Sequence, residues 1–374
     1  MEDNNKEKMA IGLMSGTSLD GIDAAIIKSD GSYARRWGEP YHMSYSKDQR
    51  TKLKAALKAA RAEGKPTKNN DLINEVEDLL TELHVDVVGK IIELNNLETD
   101  DVDVVGFHGQ TLLHGPDQGW SWQIGDGKLL AEKIRIPVVN DFRRYDVENG
   151  GQGAPLVPVY HQSLFHGTKD QFPVALINFG GVANITWIGG ESPDQLMAFD
   201  TGPANALLDD WIRSKTDYIY DQDGMFSAKG IVHQKLVNKW MANKYFDLRP
   251  PKSLDRDDFN VDEVAELSIE DGAATLCAFS VAALKVASKQ CPTAVKNWYV
   301  CGGGVHNPTI MTMLNNALEG DVRPVSSLGY NGDYIEAEAF AYLAIRRLYD
   351  LPITFPGTTG ISKPSPGGIL NNLD

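Results

Sequence analysis

The sequence predicts an α/β protein of two domains with mixed sheets. Three observations lead there. Its 374 residues exceed the roughly 100–200 that one domain usually holds. Short apolar runs alternate with stretches of helical periodicity. Each half also opens with the same device, a strand, a Gly-rich turn and a second strand: GLMSGTSLDGIDAAII (12–27) and LINFGGVANITWI (176–188).

In chain order, 9–14 and 22–28 read as strands around the turn SGTSLDG. Helical spacing covers 48–63 and 70–97. Strands follow at 103–109 and 136–142, with a helix at 127–135 between them, then a Gly-rich loop at 148–155 and a buried helix at 156–165. The second half gives strands at 173–181, 183–188 and 196–202, then helices near 203–214, 227–244 and 263–290. A strand at 297–301, a helix at 307–318, a last strand at 322–326 and a helix at 334–349 complete it. The Pro/Gly-containing final 25 residues read as an irregular tail. The expected domains are 1–168 and 169–332, with 333–374 rejoining the first. No repeat of 20–50 residues and no low-complexity segment is present.

Composition narrows the function. A formal net charge of −15 opposes binding to a phosphate backbone, so nucleic acid is not an expected partner. The start MEDNNKEK lacks the basic and apolar parts of a secretory signal. The longest uncharged helical stretch, 272–284, has 13 residues where a bilayer span needs about 20. Cys277, Cys291 and Cys301 have no metal-ligand spacing and read as packing residues in a reducing cytoplasm.

The first turn holds Ser15, Gly16, Thr17, Ser18, Leu19, Asp20 and Gly21. Its glycines admit close backbone approach, and consecutive N–H groups form an anion-binding concavity. Asp20 would repel phosphate unless a cation such as Mg²⁺ lies between them. An Asp/Gly hairpin turn is the plainer alternative. The second turn carries Gly180, Gly181 and Asn184, and the pair of turns could grip a triphosphate from two sides of a cleft. Gly302, Gly303 and Gly304 follow a strand and precede a helix, a plausible bed for a nucleoside. Neither G-x-G-x-x-G nor a P-loop occurs. Asp200 ends a strand before Gly-Pro, either as a fixed base or as a helix N-cap. His108, Gln110, Thr111, Arg143 and Gln152 stand at or just beyond strand ends, where ligands of α/β sheets bind. A lone His such as His108 is more often a satisfied structural residue. Glu336 begins the last helix, where the dipole alone favours an acid.

Taken together, these motifs resemble the anhydro-N-acetylmuramic acid kinases, bacterial enzymes of peptidoglycan recycling. The matching strings are GLMSGTSLDGID, GFHGQT, NDFRRYD, GGQGAPLVP, NFGGVANIT, FDTGPANALLD, DQDG and CGGGVHN, in family order along nearly the whole chain. The resemblance implies a two-domain actin/hexokinase-like (ribonuclease H-like) ATPase fold with a cleft between domains. It implies that 15–22, through Ile22, is the first phosphate loop and 180–184 the second, with 301–307 near the adenosine. The implied reaction uses Mg²⁺ and ATP. Water opens the 1,6-anhydro bridge at C1, with Asp200 as general base, and the γ-phosphoryl goes to O6. Glu336 would lie near the sugar, and Arg143 would hold its lactyl carboxylate. His108, Gln110, Thr111 and Gln152 are further sugar contacts. A homodimer is implied. Two alternatives belong beside it: a kinase for another anhydrosugar such as levoglucosan or for a free hexose, and a nucleotide-binding module without chemistry.

Overall fold

The computed structural model describes residues 6–16, 18–167, 171–254 and 259–373. The first part of the chain forms β1 (Lys8–Met14), β2 (Gly21–Ser29), β3 (Ala34–Ser44), α1 (Lys47–Glu63), α2 (Asp71–Leu94), β4 (Val104–Phe107), β5 (Gln110–Gly115), β6 (Trp120–Ile124), α3 (Gly127–Ile134), β7 (Val138–Asn140), α4 (Arg144–Glu148) and α5 (Pro158–Ser163). The middle forms β8 (Val174–Phe179), β9 (Val182–Ile188), β10 (Leu196–Pro203), α6 (Asn205–Lys215), α7 (Gln234–Trp240), α8 (Ile269–Ser288), β11 (Asn297–Cys301), α9 (Pro308–Ala317) and β12 (Asp321–Pro324). The end forms α10 (Ile335–Leu348) and β13 (Ile369–Asn371). These elements gather into two compact units, Met1–His166 with Tyr334–Asp374, and Gly167–Asp333.

The sheet of the first unit has the order β13-β7-β4-β1-β2-β3. β1, β2 and β3 run antiparallel, while β1, β4 and β7 run parallel. The second unit has the order β10-β9-β8-β11-β12, again three antiparallel strands followed by parallel neighbours. This repeated order places the chain in the actin/hexokinase-like ATPase fold.

Packing explains the elements that position the loops. Gly12 and Gly106 let α10 lie directly on β1 and β4: a Cβ at Gly12 would stand 1.8 Å from the Ala337 carbonyl oxygen, and one at Gly106 2.1 Å from that of Phe340. The core of this unit includes Ile11, Leu13, Ile22, Phe107 and Val138. In the second unit Ile177, Ile185 and Phe199 from the sheet meet Phe279 and Leu284 of α8.

Three expectations change. The helix expected over 227–244 is α7 alone, preceded by a 3₁₀ turn at Ser227–Lys229. Between them Gly230 packs onto the backbone of α8, and side chains of α8 take the freed donors: Ile231 N–H donates to Asp271 and His233 N–H to Thr275. The helix expected from 263 begins at Ile269, where Ser268 caps it through the Asp271 N–H. The tail is not wholly irregular, since β13 pairs with β7. Among the described residues no helix is long and apolar enough to cross a membrane.

Candidate active site

In the first unit the parallel strands end in register: Leu13 lies opposite Phe107, and Phe107 opposite Asn140. The loops that follow therefore emerge side by side at the carboxyl edge of the sheet. The first carries 15–21; Thr17 lies outside the described residues. Ser15 Oγ donates to the Gly109 carbonyl at 3.0 Å, and Gln110 Nε2 donates to that of Gly16 at 3.2 Å, tying this loop to the one after β4. Leu19 adopts a φ of 55°, and Leu19 and Ile22 bury their side chains in the core, so only their main chain can serve a ligand. Ser18 Oγ donates to Asp20 Oδ1 at 2.7 Å, with Asp20 exposed.

Gln110 is wholly buried. Its amide nitrogen faces two carbonyls, of Gly16 and Thr111, which fixes the orientation of the amide. Its Oε1 is left buried without a hydrogen-bond partner, as are those of Gln123 and Gln290. Such an acceptor calls for a donor. Thr111 Oγ1 accepts from Gln123 Nε2.

His108 has both ring nitrogens engaged inside the chain. Nδ1 donates to the Gly109 carbonyl at 2.7 Å, which leaves Nε2 as the acceptor for Arg143 Nη2 at 3.0 Å. Burial and the adjacent guanidinium hold its pKa down at about 3, so the ring is neutral. Both ring nitrogens of His108 are therefore engaged within the chain. Arg143 Nη1 also donates to the Gly153 carbonyl at 2.7 Å. Gln152 donates its N–H to the Thr359 carbonyl and accepts from His114 at its own carbonyl.

Glu336 stands in the first turn of α10, partly buried. Burial raises its pKa, Arg143 opposes that rise, and the charges of Asp23 and Asp20 add to it. Glu338, its neighbour on the helix, is a different case. It is buried against Tyr160, whose hydroxyl donates to it at 2.7 Å, and Arg36, and belongs to the packing.

In the second unit a row runs across the sheet: Cys301 opposite Asn178, Asn178 opposite Asn184, Asn184 opposite Asp200. Residues directly opposite share a face, so three polar side chains line up at one edge. Asp200 sits at a β-bulge and is not a helix cap, since α6 is preceded by Ala204 without a side-chain cap. Its N–H donates to the Lys252 carbonyl, its Oδ2 accepts the Leu254 N–H at 2.9 Å, and its carbonyl accepts the Tyr245 hydroxyl at 2.6 Å. The backbone is thus held on both sides of the Cα, and the carboxylate by the Leu254 N–H. The carbonyls of Gly180 and Gly181 receive the N–H groups of Ala204, Asn205 and Ala206, so this turn caps α6.

The glycines of these loops divide by cause. A Cβ at Gly21 would meet the Met43 carbonyl oxygen at 2.3 Å, at Gly302 the Asn178 Oδ1 at 2.4 Å, and at Gly304 the Phe179 ring at 2.3 Å. The fold requires these three. Gly16, Gly180, Gly181 and Gly303 have no protein atom nearer than 3.4 Å to such a Cβ and no left-handed φ. The described residues give no steric reason for them.

Two residues that carry no role in the sequence reading hold the loops. Asp221 is buried and accepts from Phe226 N–H, Ser227 N–H and Oγ, and Asn307 Nδ2. Asn307 at the same time caps α9. Asp146 is buried and accepts from Gly153 N–H and Thr359 Oγ1, each at 2.7 Å. DQDG and NDFRRYD contain these acids, but one partner of each, Asn307 and Thr359, lies far along the chain. A hollow of about 310 Å³ beside Glu7, Lys8, Trp37 and Asp103 lies at the start of β1, away from these loops.

The family model for anhydro-N-acetylmuramic acid kinase matches residues 8–371. An anhydro-N-acetylmuramic acid kinase of Zymomonas mobilis is 46% identical over 367 residues, 98% of this chain and 100% of the relative. One from Rhizorhabdus wittichii is 47% identical, covering 97% of this chain and 98% of its own. Among solved structures, component A of the Acidaminococcus fermentans (R)-2-hydroxyglutaryl-CoA dehydratase aligns at a TM-score of 0.48 with 11% identity, covering 91% of this chain and 99% of that one. With the matched residues spanning both units and every loop described above, the chain belongs to the anhydro-N-acetylmuramic acid kinase family.

Proposed function

We propose that the protein phosphorylates 1,6-anhydro-N-acetylmuramic acid with ATP in the cytoplasm and opens its anhydro bridge, giving the 6-phosphate and ADP. A water oxygen adds to C1 while its proton passes to Asp200. The C1–O6 bond breaks, O6 bonds to the γ-phosphorus, and the bond from that phosphorus to ADP breaks. The observation that carries this reading is the hold on Asp200, whose carboxylate is fixed by the Leu254 N–H in a strand and not spent on a helix end. A base held this way has the fixed geometry that proton abstraction needs.

The loop glycines Gly16, Gly180 and Gly181, which no protein contact explains, take the phosphates, and Gly303 takes the nucleoside side. The N–H groups of Ser18, Asp20 and Asn184 serve the same loops as candidate donors, while that of Leu19 is given to the Gly16 carbonyl and shapes the loop. Arg143 takes the sugar carboxylate, with Glu336 near it, the unpartnered Gln110 Oε1 accepts a sugar hydroxyl, and Thr111 and Gln152 are further sugar contacts. A divalent ion fits the donor set: Asp20 is an exposed carboxylate, and among the described residues no group of three or more His, Cys, Asp or Glu competes for it. Asp20 would hold Mg²⁺ with phosphate oxygens and water, and the ion would neutralise phosphate charge. Each compact unit would be one domain of the enzyme, acting in a homodimer.

Incubation with Mg·ATP and 1,6-anhydro-N-acetylmuramic acid should release ADP and a 6-phosphate. Asp200→Asn should lower kcat about 10²–10⁴-fold. Absence of turnover with that sugar but turnover with levoglucosan or glucose would reassign the substrate, and near-normal kcat in Asp200→Asn would remove the base.

A further inference from the structure

We propose that Thr359, in the segment between α10 and β13, is a positioning residue that acts through Asp146 and Gly153 to aim Arg143 at the anionic group of the substrate. The inference rests on the sugar-kinase reading above and adds a specificity-determining part to it.

A run of hydrogen bonds joins these residues. Thr359 Oγ1 donates to Asp146 Oδ1 at 2.7 Å, and both residues are buried. Asp146 Oδ2 accepts the Gly153 N–H at 2.7 Å, and the Gly153 carbonyl accepts Arg143 Nη1 at 2.7 Å. The Thr359 carbonyl accepts the Gln152 N–H at 2.7 Å, so the same residue reaches the Gly-rich loop once directly and once through Asp146. Gly151 lies against the Asp146 carboxylate, where a Cβ would stand 2.1 Å from Oδ2. Nothing in Gly150–Gly153 itself stiffens the loop: Gly150 and Gly153 have φ of 84° and 65°, a conformation that three glycines in four residues leave loose. Asp146 and Thr359 hold it, beside the bonds of His114 to the Gln152 carbonyl and of the Gly150 N–H to the Val147 carbonyl.

The disturbance has a defined end. His108 receives Arg143 on Nε2, yet it is held separately by the Gly109 carbonyl and by the Phe340 ring at 4.6 Å. Ser15 reaches the same Gly109 carbonyl. A loosened Arg143 therefore leaves the first phosphate loop in place, and sugar recognition is separable from nucleotide recognition.

Thr359→Val keeps the shape and removes the donor, leaving Asp146 one partner short. We expect KM for the anhydrosugar to rise about fivefold, KM for ATP to stay within about twofold, and Thr359→Ser to restore both. In an Arg143→Ala background the same substitution should change sugar KM by less than about twofold, because its route is gone. Should Thr359→Val not fold, Asp146→Asn goes through the same cycle under the same criterion. An undiminished effect in the Arg143→Ala background, or sugar and nucleotide KM rising together, overturns the proposal. The wild type run in parallel separates the two levels: no wild-type turnover removes the sugar-kinase reading, whereas normal turnover with an indifferent Thr359→Val removes only this inference.

Discussion

Gly180→Ala and Gly304→Ala should part stability from binding in opposite directions. At Gly180 an added Cβ meets nothing closer than the Val182 carbonyl oxygen at 3.5 Å and Asn178 Oδ1 at 3.8 Å, ordinary contact distances, and φ is not left-handed. Gly→Ala at such a position reduces the freedom of the unfolded chain and is worth about 0.4–1 kcal/mol of added stability. At Gly304 the Cβ would stand 2.3 Å from the buried Phe179 ring, so ring and strand must shift. Overpacking of that kind costs about 1–3 kcal/mol. If the Gly180 backbone faces phosphate, the methyl group lengthens or removes a charge-assisted hydrogen bond of about 1.5–3 kcal/mol, a loss of roughly 10–100-fold in nucleotide affinity. Urea unfolding of the apo protein and calorimetric titration with a nonhydrolysable ATP analogue give both numbers. Gly180→Ala should be as stable as wild type or more so, and bind nucleotide poorly. Wild-type nucleotide affinity in Gly180→Ala would refute the assignment of the unexplained glycines to a ligand.

Asp221→Asn puts an amide N–H₂ among four donors and should lower stability by about 3 kcal/mol, read as a fall in the urea midpoint; an unchanged midpoint would mean the loop does not depend on that carboxylate. His84 is buried beside Phe107 and titrates at about 4 instead of 6.5 because burial disfavours its charged form. The unfolded chain takes up that proton first, so the stability it contributes is whole above about pH 6.5 and is lost as pH falls toward 4, at about 1.4 kcal/mol per pH unit per proton. His84→Gln should flatten this acid limb, and a limb of unchanged slope would exclude His84 as its source. Asp20→Asn should weaken binding of the nucleotide with Mg²⁺ yet strengthen binding without it, since the carboxylate attracts the one and repels the other; equal weakening of both would refute the metal role.

The fold was legible wherever burial was two-sided. β1, β4, β8 and β11 are nearly continuous apolar runs because both faces are covered, and their ends are marked by glycine. β3 escaped because it is an edge. Its sequence ARRWGEPYHMS has charge, Gly and Pro where an interior strand would alternate, and exposure follows that polarity. Gly38 turns to a φ of 66° inside it, over Asn95, whose amide donates to the Glu39 carbonyl and whose carbonyl accepts the Glu39 N–H. The β5–β6 hairpin was hidden in the same way, its register shifted between Thr111 and Leu113. β13 is three residues long, and only pairing with β7 makes it a strand.

The site was legible as a set of loops but not as a set of causes. A run such as GGG carries one letter three times, yet Gly302 is required by Asn178, Gly304 by Phe179, and Gly303 by nothing described in the chain. Those neighbours are more than a hundred residues away, so no local pattern could separate the three. The same distance hid Thr359 from Asp146, 213 positions earlier, and no local pattern could show that Arg143 occupies the second ring nitrogen of His108. Local chemistry identifies which residues can meet a ligand. Whether they are free to do so depends on what the rest of the fold has already asked of them. Among the described residues, four loop glycines with open space and the buried amide oxygen of Gln110 are left without a use inside the fold.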